Sequence, residues 1–153
     1  MSDDLARLED WASPLLAALQ PAARTKVARR VGMALRRAQQ RRIGAQQDPD
    51  GTPYAPRRTP SAARRHKGRI KRRAMFVKLR QAKHLRMSAS ANAVAVGFSG
   101  RVARIARVHQ EGRIDAVSHG GKRVVYARRR LLGFAPADVE LIQRMLLEHL
   151  AGQ

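Results

Sequence analysis

Cysteine is absent from this sequence of 153 residues, and aromatic residues make up only 4% of it. Without cysteine the chain forms no disulfide and no thiolate metal site, so the folded state must rest on packing or on oligomerisation. With so few aromatics, the core has to be built largely from Ala, Val, Leu, Ile and Met, and small side chains bury little area each. We therefore expect an isolated monomer to be marginally stable, which favours self-association.

Long hydrophobic runs are also absent. No stretch approaches the roughly 18 apolar residues that a membrane helix needs. The first twenty residues carry four acids and lack both the basic start and the apolar run of a secretory signal peptide. We expect a single domain over residues 1–153, made in the cytosol and without a membrane partner.

Acidic residues are few, because 11 Asp and Glu stand against 32 Lys and Arg, which gives a net charge of +21. Residues 21–90 contribute +19 and residues 91–135 contribute +7, whereas residues 1–20 and 136–153 are mildly acidic at −3 and −2. A very basic middle between acidic ends is the electrostatic footprint of a protein that binds nucleic acid or an acidic protein surface.

Apolar residues recur at steps of three and four in three segments, which predicts amphipathic helices. These segments are residues 5–19, 21–43 and 136–150. Pro21 and Pro136 suit the first position of a helix, whereas Pro14 predicts a kink or a break in the first one. Along the second helix the apolar stripe predicts one packed face, and arginines occupy most of the other faces.

Short β-branched and apolar runs predict strands at residues 93–98, 114–117 and 124–126, the last two joined as a hairpin by Gly120-Gly121. Between them, helical spacing from Val102 to Val108 predicts a helix that ends at Gly112. Residues 75–85 are consistent with a short helix or a strand that rejoins the core. The order predicts an α+β fold: N-terminal helices, a long basic loop, a small mostly antiparallel sheet with an intervening helix, and a C-terminal helix.

Residues 46–73 are predicted to be a flexible basic arm. Four prolines between Gln46 and Pro60 predict a turn followed by an extended segment. Seven of the next ten residues from position 64 are cationic, and such a block cannot pack into a core. These candidate contact residues are Arg64, Arg65, Lys67, Arg69, Lys71, Arg72 and Arg73. They favour phosphate contact, or alternatively a solvated loop that acidic residues of a neighbouring subunit could order.

Asp48 and Asp50 suggest a calcium loop, because Asp-x-Asp-Gly begins some ion-binding loops. Position 59, where an EF-hand needs its bidentate Glu, is Thr59. The pattern therefore favours a turn over a metal site, and we expect no metal.

Catalytic patterns are also missing. The five histidines are scattered without paired ligand spacing, and the glycines match neither a Walker loop nor a dinucleotide fingerprint. His109 with Glu111 is the best acid/base candidate, but a structural hydrogen bond is the favoured role for a histidine at a helix end. We expect neither an enzyme nor a cofactor.

Five segments occur in order along nearly the whole chain. They are residues 39–57 (QQRRIGAQQDPDGTPYAPR), 96–100 (VGFSG), 105–110 (IARVHQ) followed by Gly112, 126–128 (YAR) and 131–133 (LLG). Together they resemble the phage virion morphogenesis family, the tail-completion proteins of contractile-tailed phages. Two positions depart from the expected pattern: Glu111 stands in place of an aromatic, and Ala135 replaces the capping Ser or Thr before the last helix.

The resemblance implies a structural protein that completes or terminates the tail tube and prepares it for head-tail joining, as a ring that matches the sixfold tube. Its implied partners are the terminal proteins of the tail tube or sheath, head-tail connector proteins and further copies of itself. It would be made in the bacterial host cytoplasm and end in the virion. Charge alone supports a different function, nonspecific nucleic-acid binding, and the two are compatible because DNA passes through a head-tail channel.

Overall fold

The computed structural model describes residues 2–57 and 74–152, which form four helices and two antiparallel two-stranded sheets. The elements in chain order are α1 (Ser2–Ala17), α2 (Pro21–Ala45), β1 (Leu85–Ala89), β2 (Val94–Phe98), α3 (Arg101–Glu111), β3 (Ile114–Ala116), β4 (Arg123–Val125) and α4 (Pro136–Ala151). This order confirms the α+β prediction.

Helix α2 contributes to both hydrophobic cores, one through its N-terminal half and the other through its C-terminal half. The N-terminal core joins it to α1 and α4 and contains Leu8, Ala12, Val27, Val31, Leu35, Ile142 and Leu146. The C-terminal core joins it to α3, β1 and the connecting segments and contains Ile43, Tyr54, Leu79, Leu85, Ala106 and Leu131. The predicted stripe on α2 is thus buried, and each fully buried Val or Leu stabilises the fold by roughly 1.5–3 kcal/mol.

Helix α1 runs through Pro14 and ends three residues later, so of the predicted kink or break, the break does not occur. Pro14 has no N–H to donate to the carbonyl of Asp10, one turn earlier. Both residues are exposed, so water can bond that carbonyl and the helix continues.

The chain rejoins the core through turns at residues 75–84 and then forms β1, whose pairing with β2 runs from Leu85↔Phe98 to Ala89↔Val94. This sheet packs closely on α2. A Cβ on Gly32 of α2 would lie 2.6 Å from Met87 Cγ of β1, so the missing side chain permits the approach.

The predicted strands at 114–117 and 124–126 are confirmed as β3 and β4, which pair from Ile114↔Val125 to Ala116↔Arg123. Within the described ranges this hairpin does not join β1 and β2, so the structure has two small sheets with α3 between them in sequence. Gly112 ends α3 as predicted, with a φ of 68° and its N–H donating to the Val108 carbonyl.

Helix α4 begins at Pro136 as predicted, and Ala135 has no side chain to cap it. Asp138 makes a different contact at this helix start, because its Oδ2 accepts the Ala135 N–H at 2.9 Å. None of the helices in residues 2–57 and 74–152 combines the length and apolar character needed to cross a membrane.

Candidate functional site: the base of the basic arm

The seven cationic residues predicted to contact a partner, from Arg64 to Arg73, lie outside the described residues. The structure describes the segments on either side, residues 46–57 and 74–76, which we call the arm base. The arm base therefore holds the two ends of the segment that carries the predicted contact residues.

A tight turn forms the first part of the arm base, as the Asp-Gly step predicted. The Asp48 N–H donates to the Thr52 carbonyl at 2.8 Å and the Gly51 N–H to the Asp48 carbonyl at 2.9 Å. Gly51 has a φ of 84°, which favours glycine.

Both aspartates of this turn serve structural contacts. Asp48 Oδ1 accepts the Arg130 N–H at 2.8 Å, and Asp50 Oδ1 accepts the Thr52 N–H at 2.9 Å. The hydrogen bond from Thr52 lowers the pKa of Asp50. Thr59 lies outside the described residues, and within them no three His, Cys, Asp or Glu side chains gather as a metal-ligand group.

The two ends of the arm are bonded to each other. Arg57 Nη2 donates to the Ala74 carbonyl at 3.2 Å. The Gln46 side chain holds Met75 on both sides, accepting its N–H at 2.6 Å and donating to its carbonyl at 3.0 Å. The chain thus leaves and re-enters the fold at one place.

Arg129 fastens the outgoing end of the arm to α3. Its side chain is buried and donates to the carbonyls of Ala55 and Pro56, both at 2.8 Å. Its backbone N–H donates to the carbonyl of His109 at 2.8 Å. Sequence patterns did not indicate this role, because nothing in the sequence distinguishes Arg129 from the other 31 Lys and Arg residues.

His109 lies in an aromatic cluster beside Arg129. Its ring packs edge to face against Phe76 at 4.8 Å and Tyr126 at 5.1 Å between centroids, and Phe76 packs likewise on Tyr54 at 5.7 Å. Burial, and secondarily the charge of Arg129, lower the pKa of His109 to about 4.

The proposed acid/base pair is not assembled. Arg129 Nη1 lies 3.2 Å from His109 Nδ1, and because arginine can only donate, this ring nitrogen accepts. Glu111 instead forms a salt bridge with Arg113 on the surface. His109 therefore has the structural hydrogen bond that the sequence favoured.

Stability should depend on pH through His109. Its pKa is about 4 in the folded chain and about 6.5 when unfolded, so the folded state binds fewer protons between these values. The stabilisation is complete above pH 6.5 and is lost as the pH falls, with a slope of up to about 1.4 kcal/mol per pH unit.

Urea unfolding of the unmodified chain and His109→Gln across this pH range should show a shallower slope for the variant. His119→Gln alters an exposed histidine and should retain the original slope. Equal slopes for the unmodified chain and His109→Gln would contradict the assignment.

The five segments that carried the family resemblance meet around the C-terminal core, to which residues 96–100 contribute Val96 and Phe98. Gln39 Nε2 donates to the Gly133 carbonyl at 3.0 Å. The Gln110 side chain accepts the Leu132 N–H at 3.0 Å and donates to the Leu132 carbonyl at 2.9 Å. A Cβ on Gly112 would lie 3.2 Å from Arg128 N, which explains a small residue there. The segments thus form one connected structural unit.

Comparison with known proteins supports the family resemblance seen in the sequence. The family model described as the phage virion morphogenesis family matches residues 3–151. The chain is 40% identical over 149 residues to "Tail completion protein S" of Escherichia phage P2, an alignment that covers 97% of this chain and 98% of that protein. No solved structure gave a significant match. With its motifs joined in one unit and the match extending over nearly its whole length, the chain belongs to the phage virion morphogenesis family.

Proposed function

We propose that the chain is a tail-completion protein that terminates the phage tail tube and prepares it for head-tail joining. The match to the family and to the tail completion protein of phage P2, over almost the full length of both chains, carries this proposal. The protein would act as a hexameric ring in a contractile-tailed particle, after assembly in the bacterial cytoplasm.

The basic arm is proposed to make the contact with the tail tube, the sheath terminus or the head-tail connector. The arm base supports this role because Arg57 joins the two ends of the arm and Arg129 ties one of them to α3. The segment between these anchored ends carries seven cations, a charge suited to an acidic protein surface.

Removal of the coding sequence from its native genome tests the function. We expect heads and tails to accumulate unjoined, as counted by electron microscopy, and the unmodified chain supplied in trans to restore joined particles. Normal yields of joined particles without the gene would refute a tail-completion role.

Neutralising the arm should separate assembly from folding. A variant with Gln in place of all seven arm cations, from Arg64 to Arg73, should keep its circular dichroism spectrum and melting temperature, because the core residues are elsewhere. In trans it should restore at least about tenfold fewer joined particles, since several ionic contacts of a partner interface are lost together. An unchanged particle yield would remove the arm from the contact site.

Nonspecific nucleic-acid binding is the alternative function, favoured by exposed arginines along α2. These are Arg29, Arg30, Arg37 and Arg41. Such binding should weaken steeply with salt, by about 0.9 in log K per log unit of salt for each phosphate contacted on duplex DNA. Weak binding that does not change with salt would exclude this alternative.

A further inference from the structure

The β3–β4 hairpin and neighbouring α3 concentrate exposed apolar side chains. Eight large apolar side chains are exposed among the described residues, and four of them lie within this stretch of 21 residues, each 43–65% exposed. They are Ile105, Ile114, Val117 and Val125. Scattered exposed apolar residues are ordinary, whereas a contiguous group indicates an interaction surface.

Exposed apolar side chains lie on both faces of the hairpin. Ile114 lies opposite Val125 in the ladder, and both are more than half exposed. On the side toward α3, a cavity of about 410 Å³ is lined by Ile105, Val117 and Tyr126 among others. No other described strand pairs with β3 or β4, and a lone two-stranded hairpin is marginally stable in water. We call this surface the hairpin face.

The rim of the hairpin face is basic, so its occupant should be acidic. The exposed cations there are Arg104, Arg107, Arg113, Lys122, Arg123 and Arg128. The two acids in the same stretch, Asp115 and Glu111, already form salt bridges with Arg104 and Arg113.

Acids without such salt bridges lie on α1 and α4 of the same chain, where six exposed acids stand against two exposed cations, Arg7 and Arg144. All eleven acids lie among the described residues, eight are exposed, and six of these eight are on the two helices. They are Asp3, Asp4, Glu9, Asp10, Glu140 and Glu148. None of the six has a salt bridge to another described residue, whereas Asp50, Glu111, Asp115 and Asp138 each have one. Leu147, 52% exposed, adds apolar surface beside Glu148.

The two faces lie toward opposite ends of the molecule. The acidic face, which consists of the exposed acids of α1 and Glu148 of α4, covers the N-terminal core around Val27 of α2, whereas the hairpin follows α3 of the C-terminal core, around Ile43. Sixteen residues separate these positions on α2, which is about 24 Å along a helix. Glu140 is not part of the acidic face, because Asp138, two residues before it, pairs with Arg42 beside Ile43. Contact between two acidic faces, or between two hairpin faces, would place like charges opposite each other.

We propose that copies of this chain associate head to tail, the hairpin face of one copy docking on the acidic face of the next. Each copy then uses two different surfaces, and a repeated contact of this kind forms a closed ring or a filament rather than a two-fold dimer. This inference rests on the proposed function, to which it adds the surfaces that would build the ring.

Two complementary variants test the direction of assembly. Ile114→Asp with Val125→Asp disables the hairpin face, and Glu9→Lys with Asp10→Lys and Glu148→Lys disables the acidic face. All five positions are exposed, so folding should be retained, as checked by circular dichroism. Each variant alone should be monomeric in sedimentation velocity, with self-association weakened at least about a hundredfold.

An equimolar mixture of the two variants should form a one-to-one dimer and nothing larger, because only one intact pair of faces remains. Val77→Asp, the same change at an exposed site outside both faces, should assemble like the unmodified chain. A monomeric mixture, undiminished assembly by either variant alone, or a monomeric unmodified chain at its highest soluble concentration would overturn the proposal. So would loss of assembly on neutralising the arm alone, because the arm would then be the occupant of the acidic face.

Complementation in trans separates this inference from the proposed function. If the hairpin variant is monomeric but still restores joined particles, the head-to-tail contact does not build the functional ring, while tail completion stands. If the variants behave as expected in solution but removal of the gene leaves particles normal, the contact stands and tail completion is wrong.

Discussion

Asp138→Ala is expected to lower the free energy of unfolding by about 3–5 kcal/mol, because it leaves a buried arginine without its counter-ion. Arg42 Nη1 lies 3.1 Å from Asp138 Oδ2, and the two side chains are 10% and 6% exposed. The same carboxylate oxygen accepts the Ala135 N–H that opens α4. One substitution therefore removes both the ion pair between α2 and α4 and the first contact of α4.

Urea unfolding at neutral pH measures this loss, and an exposed salt bridge provides the matched control. Glu111→Ala breaks the pair with Arg113 on the surface and should cost less than about 1 kcal/mol. Adding Arg42→Met to Asp138→Ala should recover part of the loss, since no buried charge is then left uncompensated. A loss below about 1 kcal/mol for Asp138→Ala would contradict the structural role of the pair.

Gly133→Ala is expected to cost about 2–5 kcal/mol through strain and overlap together. Gly133 has a φ of 154°, and an added Cβ would lie 2.6 Å from Cγ of Pro49. The rigid proline ring cannot rotate away. The Gly133 carbonyl also accepts hydrogen bonds from Gln39 at 3.0 Å and from Arg42 at 2.9 Å, so a shift of this residue disturbs the contact between α2 and the start of α4.

Substitutions at two other glycines separate the cost of the backbone conformation from the cost of the overlap. Gly51 has a φ of 84° but open space where its Cβ would lie, so Gly51→Ala should show the conformational cost alone, about 1–2 kcal/mol. Gly97 has open space and no positive φ, and Gly97→Ala should change stability by less than about 0.5 kcal/mol. The three variants should lose stability in the order Gly133, Gly51, Gly97 when melting temperatures are compared, and a Gly133→Ala chain as stable as Gly97→Ala would refute the overlap.

The sequence predicted elements whose signals are local. The period of 3.6 residues identified the helices, Pro21 and Pro136 marked two starts, and Gly112 marked an end. Residues 75–85, where a short helix or a strand was expected, form turns up to the start of β1. Strand β1 was not predicted, because LRMSA contains no β-branched residue and its position depends on distant contacts such as Gly32 against Met87. Of the kink or break predicted at Pro14, the break does not occur, because the carbonyl left without a partner is on an exposed helix surface.

The sequence predicted which residue types form the candidate site, but not which of them contact each other. The turn at Asp48–Gly51 followed from its residues, whereas the roles of Arg42 and Arg129 depend on partners about 70 to 100 positions away. In a chain with 32 Lys and Arg, charge gives no indication of which cations become buried. Only the tertiary fold, which brings the Pro56 carbonyl and the Asp138 carboxylate to them, distinguishes these two from the surface arginines.

The packing of α1 on α4 has a consequence for synthesis on the ribosome. Residues 2–17 cannot complete the N-terminal core until residues 136–151 have been made, because Ile142 and Leu146 form one side of it. At roughly 5–20 residues per second, α1 waits about 6–24 s for its partner. The surface formed jointly by these helices is absent from a nascent chain, so growing chains on one messenger RNA could not use it to join one another before release.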